Sequence, residues 1–343
     1  MYKLQVEEYD RHVYETELKS FLPKNIIDFH IHVFSNEIER YEHLKNAPTS
    51  WVGRITDELR IEQLKDTFAK LFPENNCSAL IFGGTGRDLK ETNDYIIKAG
   101  KELDCATLYR TNYQMSASQL EEDIKKGGFL GIKPYLSDRP LYIPTSEIRI
   151  YDFLPHEHLE VCDRNGWIVM LHIPRNDRFR DPVNLAQLAE IEEKYPNLKL
   201  IIAHIGRAYA KEDIGNAFEV VGKGKNTYFD FTANMCDDAI RACLEAVGPK
   251  KLIFGSDLPY AIMRMYRIVE NGVYYNVVRR GEFGDITGVA HMKETDEKDL
   301  TLMIYEQIRA LKRVAQELKL TPDDIEDIMY GNAKKLIDEV PGR

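Results

Sequence analysis

The chain's nine histidines are unevenly placed. Two of them close the apolar run IIDFHIH, residues 26–32, with a single isoleucine between them. Side chains two apart on a β-strand share a face, so His30 and His32 stand side by side, with Asp28 behind them in the same row and Phe29 and Ile31 opposite. His172 and His204 close two further apolar runs, GWIVMLHI and LKLIIAHI, and KKLIFGSD ends on Asp257. Each has an ordinary reading taken alone: a buried histidine satisfied by a hydrogen bond, or an aspartate capping the helix that LPYAIMRMY would start. Together, four imidazoles and a carboxylate form a nitrogen and oxygen donor set suited to zinc, manganese or iron, provided that one fold gathers the strand ends.

Eight apolar runs supply candidate strands: residues 25–32, 77–84, 105–112, 128–135, 166–173, 198–205, 226–233 and 250–257. They are rich in Ile, Val, Leu, Phe and Tyr, and their near-continuous apolarity suits parallel strands covered on both faces. Between them, ETNDYIIKAGKEL, SASQLEEDIKKG, PHEHLEVCDRNG, NLAQLAEIEEKY and DDAIRACLEAVG carry helical spacing. Two more helices are expected at 302–319 and 322–338. Eight strands with helical connections predict an α/β fold, a (β/α)8 TIM barrel with long loops after strands 1 and 8, at 33–76 and 258–300. We read one domain over residues 1–343, with its core at about 25–338. A doubly wound open sheet is the alternative, but no GxGxxG follows the first strand. GGTGRD, residues 83–88, reads as a turn at the rim of the site.

A barrel brings the C-terminal ends of its strands to one mouth, so His30, His32, His172, His204 and Asp257 should converge there. Lys133 ends the fourth strand in GIKPY. Arg175 and Arg207 each follow a strand-end histidine by three residues, where either could anchor a carboxylate through a bidentate pair or simply be solvated. His156 and His158 fall in the helix before the fifth strand and read as surface residues, like His12 and His43. His291 lies in the late loop, where a substrate contact is conceivable but not favoured.

A net charge of −10 and a pI near 5.5 argue against a nucleic-acid-binding surface. No apolar run has the length of a membrane span, and the polar N-terminal stretch lacks the apolar core of a signal peptide. A cytoplasmic protein is expected. The five cysteines are scattered and form no CxxC, which fits reduced core thiols rather than a disulfide framework.

The ordered set DFHIH, GWIVMLHIP, KLIIAHIGRA, KLIFGSDLP and IMYGNAKKLI resembles the amidohydrolase superfamily. The likeness is to the amidohydrolase-2 branch, which includes aminocarboxymuconate-semialdehyde decarboxylase and related decarboxylases and lactonases. It covers roughly residues 25–338. The resemblance implies that His30, His32, His172 and Asp257 hold a divalent metal ion, zinc foremost, with Mn2+ or Fe2+ as alternatives. It implies that His204 and Asp257 carry the catalysis, His204 activating or orienting the water. Two-metal relatives bridge their ions with a carbamylated lysine, a place Lys133 would fill. Otherwise Lys133, Arg175 and Arg207 are expected at the substrate, unless Lys133 forms a surface ion pair.

The expected function is hydrolysis of a small-molecule ester, lactone or amide by metal-activated water. Non-oxidative decarboxylation of an aromatic or unsaturated acid at the same site is the alternative. A non-catalytic barrel with structural histidines would leave the repeated strand-end placement unexplained. A small-molecule substrate, no nucleic acid and no membrane are expected as partners. The exposed-looking Tyr266, Tyr274 and Tyr275 suggest a homodimer built on the 258–300 insert, with a lid over the chain's own site as the competing reading.

Overall fold

The computed structural model describes residue 2 and residues 4–39, 51–56, 58–85 and 88–341. His43 and part of GGTGRD lie outside these residues. Nine short strands form the barrel wall: β1 (Asn25–His32), β2 (Asn76–Phe82), β3 (Ala106–Thr107), β4 (Tyr109–Thr111), β5 (Gly131–Pro134), β6 (Ile168–Leu171), β7 (Lys199–Ile202), β8 (Thr227–Asp230) and β9 (Leu252–Ile253). All paired neighbours run parallel. β3 pairs with β2 and β4 with β5, and the two are one barrel strand interrupted at Leu108, whose N–H donates to the Ile81 carbonyl at 3.0 Å.

β9 is shorter than the apolar run 250–257 suggests: residues 250 and 251 belong to a 3-10 turn, and the strand ends at Ile253. The chain beyond it still closes the barrel onto β1. Phe29 N–H donates to Phe254 O at 2.9 Å, Asp257 N–H to His30 O at 3.0 Å, and His32 N–H to Leu258 O at 2.8 Å. The result is a closed eight-stranded barrel. β5 to β8 are buried along their whole length, as strands covered on both faces must be.

The connecting helices fall where their spacing placed them, at Leu89–Leu103, Ala117–Gly127, His156–Asn165, Pro182–Lys194 and Asp237–Val247. Their ends carry the expected signals. Ser116 and Asp181 accept from the first-turn N–H groups, and Gly128 takes the left-handed conformation after Gly127. Met303–Leu318 matches the expectation at 302–319, whereas 322–338 is two helices joined by a π turn. His158 corrects the surface reading. It is fully buried and donates from Nε2 to Met115 O at 2.8 Å. The inward face of its helix is His158, Leu159, Val161 and Cys162, and only polarity had suggested otherwise. His156 is half-buried against the Tyr195 hydroxyl at 2.7 Å, while His12 is exposed.

The late insert is not a plain loop. It holds β10 (Tyr266–Glu270), β11 (Val273–Arg279) and β12 (Met292–Thr295) as a three-stranded sheet. The β10–β11 hairpin turns on Asn271 and Gly272, whose φ values of 50° and 75° suit a type I′ turn. The exposed aromatic face expected for a dimer is not there. Tyr274 is buried, stacked on His291 with ring centroids 4.2 Å apart and packed on Tyr209 of the barrel at 4.9 Å. Tyr266 and Tyr275 are half-buried. The sheet therefore caps the chain's own barrel. The five cysteines are free thiols. Among the described residues no helix is long and apolar enough to cross a membrane.

Candidate active site

His30, His32, Lys133, His172, His204 and Asp257 line one cavity of about 450 Å³ at the C-terminal mouth of the barrel. His30, His32, Lys133 and His172 come from strand ends or the residue just beyond one, His204 lies two residues past β7 and Asp257 four past β9, so residues more than two hundred positions apart become neighbours. The backbone closes tightly beneath them. A Cβ on Gly255 would sit 2.6 Å from His30 Cβ and 2.3 Å from Thr232 Oγ1, so only glycine lets this segment reach β1. Asp28 fastens the same seam, its Oδ1 accepting from the N–H groups of Ser256 at 2.8 Å and His30 at 3.2 Å.

Hydrogen bonds fix the proton positions on the imidazoles. His30 donates from Nδ1 to Asp230 Oδ2 at 3.0 Å, which leaves the Nε2 lone pair facing the cavity. The Tyr135 hydroxyl gives its one proton to Gly83 O at 2.5 Å and so accepts from His32 Nδ1 at 3.0 Å. That leaves the Nε2 lone pair of His32 facing Asp257 Oδ1 at 3.1 Å, with His30 Nε2 at 3.7 Å from the same oxygen. Burial pushes the Asp257 carboxyl up, but the close imidazoles of His32, His204 and His30 outweigh this and hold it below the usual range. Burial depresses both histidines, keeping them neutral.

Three acceptor atoms therefore converge within 4.8 Å of one another without a donor between them. Lone pairs at these distances repel unless a cation lies among them. Ligand bonds of about 2.0–2.2 Å at near-tetrahedral angles put neighbouring donor atoms about 3–3.6 Å apart, close to the separations found here. The residues fit a divalent ion. His172 stands outside this compact trio, its ring 5.1 Å from that of His204, and its Nδ1 is buried with no hydrogen-bond partner. It offers a further nitrogen at the edge of the site.

His204 sits in an unusual turn. His204, Ile205, Gly206 and Arg207 all have positive φ, at 58°, 49°, 61° and 61°. For residues other than glycine this conformation costs about 1–2 kcal/mol each. At Gly206 a Cβ would also meet the Phe179 ring at 2.4 Å. The turn is held from β8: Asp230 Oδ1 accepts the His204 N–H at 2.7 Å, and Asn234 Nδ2 donates to the carbonyls of His204 at 3.2 Å and Ala208 at 2.9 Å. His204 Nδ1 donates to Thr232 O at 2.8 Å, leaving Nε2 as the free base. Burial lowers its pKa to about 4, so the ring is neutral at pH 7. Asp257 shares the left-handed region, at φ 70°. Outliers clustered this way mark sites where the fold holds groups in place against local preference.

Lys133 is buried, so the surface ion pair is excluded. Its Nζ lies 5.4 Å from the Phe82 ring centroid and 4.7 Å from that of Tyr135. Burial lowers its pKa to about 8, partly offset by Asp230 and Asp257. Arg175 and Arg207 are placed differently from their expected role, and neither lines the cavity. Arg175 donates from Nε to Asp181 at 2.9 Å, and Arg207 donates to the carbonyls of Arg175 at 3.0 Å and Ile173 at 3.3 Å. Both have positive φ, which turns their side chains away from the direction that spacing alone suggests. Asp230, Asn234 and Tyr135 were missed. Asp230 was legible as a lone carboxylate in an otherwise apolar strand, and Tyr135 as the residue two beyond Lys133.

A model of the amidohydrolase family, Amidohydro_2, matches residues 103–338, which span β3 to β12. Among solved structures, the chain is similar to an amidohydrolase from Burkholderia multivorans with bound zinc, at 12% identity, 91% of this chain, 99% of that chain and a TM-score of 0.61. It is also similar to a probable 2-pyrone-4,6-dicarboxylic acid hydrolase from Acinetobacter baumannii with citric acid bound, at 17% identity, 92% and 99% coverage and a TM-score of 0.56. A third is 5-carboxyvanillate decarboxylase from Novosphingobium aromaticivorans complexed with manganese and 4-hydroxy-3-methoxy-5-nitrobenzoic acid, at 12% identity, 94% and 97% coverage and a TM-score of 0.56. At these identities the likeness is one of fold. No curated protein matches the chain. With most of its barrel covered by the family match and its strand ends gathered at one mouth, the chain belongs to the amidohydrolase family.

Proposed function

We propose that the protein is a metal-dependent hydrolase acting on an ester, lactone or amide of a small molecule. The observation that carries this reading is the convergence of His30 Nε2, His32 Nε2 and Asp257 Oδ1, acceptors without a donor, beside His204 in a cavity of small-molecule size. His30, His32 and Asp257 would hold the ion, with His172 as a fourth ligand. Zinc suits a set dominated by imidazoles, and a structural neighbour carries zinc. When bound, the ion supplies Lewis acidity, lowering the pKa of water toward about 7 and polarising a carbonyl.

The chain's own residues do the rest. Asp230 and Tyr135 fix the tautomers of His30 and His32, so that both present lone pairs to the same point. Neutral His204 accepts a proton at Nε2 from the attacking water, with the Asp257 carboxylate near enough to favour the charged ring. The proton then passes to the leaving group. Phe82 and Tyr260 flank His32 and limit access of bulk water to its side of the cavity.

Decarboxylation of an unsaturated or aromatic acid is a second reading, favoured by one observation. Lys133 places a buried ammonium in the cavity that forms no ion pair among the described residues, and a substrate carboxylate would complete it. The test is a panel of aryl esters, lactones, amides and aromatic acids, scored for hydrolysis and for carbon dioxide release with zinc-loaded and chelator-treated protein. Hydrolysis lost on chelation and restored by zinc is expected. Carbon dioxide release with no hydrolysis of any member would replace the first reading with the second.

A further inference from the structure

Gln307 is fully buried on the helix Met303–Leu318, among the apolar positions Ile304, Ile308 and Leu311. An amide placed there is destabilising unless both of its ends find hydrogen-bond partners. They do, and the partners lie beneath the site. Oε1 accepts the Ala233 N–H at 3.1 Å, and Nε2 donates to Gly255 O at 2.5 Å. With a donor on one side and a carbonyl on the other, the amide has one workable orientation. Gln307 therefore ties the chain after β8 to the chain after β9.

Each partner belongs to a peptide group that is engaged on its other side as well. The carbonyl of the Thr232–Ala233 peptide accepts the Nδ1 proton of His204 at 2.8 Å. The N–H of the Gly255–Ser256 peptide donates to Asp28 Oδ1 at 2.8 Å. Hydrogen bonds thus run unbroken from His204 through one peptide, the Gln307 amide and a second peptide to the Asp28 carboxylate. Every donor in the chain points the same way, and aligned bonds of this kind polarise one another.

The first peptide is the weak link. It is the central peptide of the turn Phe231–Asn234, which Asn234 N–H closes onto Phe231 O at 3.0 Å. Ala233, third in that turn, has a φ of 48°. Positive φ at the third position is the type II pattern, which favours glycine. Turning the central peptide over gives a type I turn, which suits alanine. The turned peptide would present its N–H to His204 Nδ1 in place of its carbonyl. His204 would then accept at Nδ1 and carry its proton on Nε2, the atom left free as the base. Gln307 opposes the turn, because a reversed peptide would set the Thr232 carbonyl against Oε1, acceptor against acceptor.

We propose that Gln307 is a positioning residue for the base of the site, holding the Thr232–Ala233 peptide in the orientation that keeps the His204 proton on Nδ1 and the Nε2 lone pair in the cavity. The inference rests on the reading of His204 as the base. The helix Met303–Leu318, which contributes no side chain to the cavity wall, thereby governs the state of a group inside it.

The test locates the His204 ring proton by two-bond proton–nitrogen NMR correlation in histidine-labelled, zinc-treated protein at neutral pH, the signal being assigned by its loss in His204→Asn. The wild type should carry the proton on Nδ1. Gln307→Met, which keeps the side-chain length and removes both polar ends, should move it to Nε2. Gln307→Glu should keep it on Nδ1, since a carboxyl held neutral by burial accepts from Ala233 and donates to Gly255. Ala233→Gly added to Gln307→Met relieves the left-handed φ and should return the proton largely to Nδ1. If Gln307→Met fails to fold, as read by circular dichroism, Gln307→Asn, one methylene too short to hold both partners, takes its place. On the ester, lactone or amide that the substrate panel identifies, kcat should fall about 10²–10⁴-fold in Gln307→Met, with KM little changed. A proton that stays on Nδ1 in the folded Gln307 variant would overturn the proposal. So would a wild type already protonated on Nε2, or a Gln307→Glu that shifts as Gln307→Met does. A shifted proton with kcat unchanged would instead contradict the role of His204 in the proposed reaction and leave the positioning standing.

Discussion

Asp230 reaches across the barrel to accept the Nδ1 proton of His30 at 3.0 Å, while its other oxygen accepts the backbone N–H of His204 at 2.7 Å. One carboxylate thus fixes the tautomer of one site histidine and fastens the strained turn that presents another. Burial raises its pKa, but the hydrogen bonds it accepts from His30 and from the His204 N–H outweigh this and hold it below its ordinary value. In Asp230→Asn the amide loses the charge and no longer enforces a donating Nδ1. Zinc affinity should fall about 10–100-fold. Stability should drop by about 1.5–3 kcal/mol in urea unfolding, since hydrogen bonds to a buried charge are lost. Unchanged zinc affinity would mean that His30 keeps its orientation without Asp230.

Tyr135 performs the same task for His32 from the opposite wall. Tyr135→Phe should weaken zinc binding, measured by competition with a chromophoric chelator, by about 10–100-fold. The fold should lose only about 1 kcal/mol. A loss confined to stability, with zinc affinity intact, would assign Tyr135 to packing alone.

Gly255→Ala places a methyl group 2.6 Å from His30 Cβ, where backbone must shift to admit it. Overpacking of this kind costs about 1–3 kcal/mol. Zinc occupancy should fall with stability, because the displaced atom belongs to a residue proposed to hold the ion. Thermal unfolding and metal analysis of the one variant read both effects, and full occupancy with unchanged melting would contradict the close approach.

His158 yields a pH prediction away from the site. Burial depresses its pKa, and its Nε2 proton is committed to Met115 O. As pH falls below the ordinary value near 6.5, the unfolded chain takes up a proton that the folded chain resists, so stability is present above that pH and lost below it. This one group contributes a loss of up to about 1.4 kcal/mol per pH unit. His158→Gln keeps a donor that does not titrate. Its urea midpoint should therefore decline less than that of the wild type between pH 7.5 and 5.5, and parallel declines would contradict the assignment.

The barrel was legible because parallel strands buried on both faces must be apolar throughout, and β5 to β8 are. The strand-end residues were legible for the same reason, since a polar group ending such a strand has nowhere to go but the mouth. Directions beyond the strand ends were not. Arg175 and Arg207 follow their histidines through positive-φ turns that period-2 reasoning does not capture. The break at Leu108 and the brevity of β9 leave no mark in composition. The cap sheet did leave one in VENGVYY, whose Asn-Gly between β-forming residues is a hairpin signal. Tyr274 looked exposed because its burial depends on Tyr209, which lies far away in the sequence.

The central claim is a division of labour: His30, His32 and Asp257, with His172, hold the ion, and His204 moves the proton. Zinc stoichiometry of His204→Asn beside that of His30→Ala tests it most directly. The account predicts about one zinc per chain in the wild type and in His204→Asn, with turnover in that variant reduced by about 10²–10⁴-fold, and little zinc in His30→Ala. His204→Asn losing its zinc as completely as His30→Ala would make His204 a ligand and contradict the division.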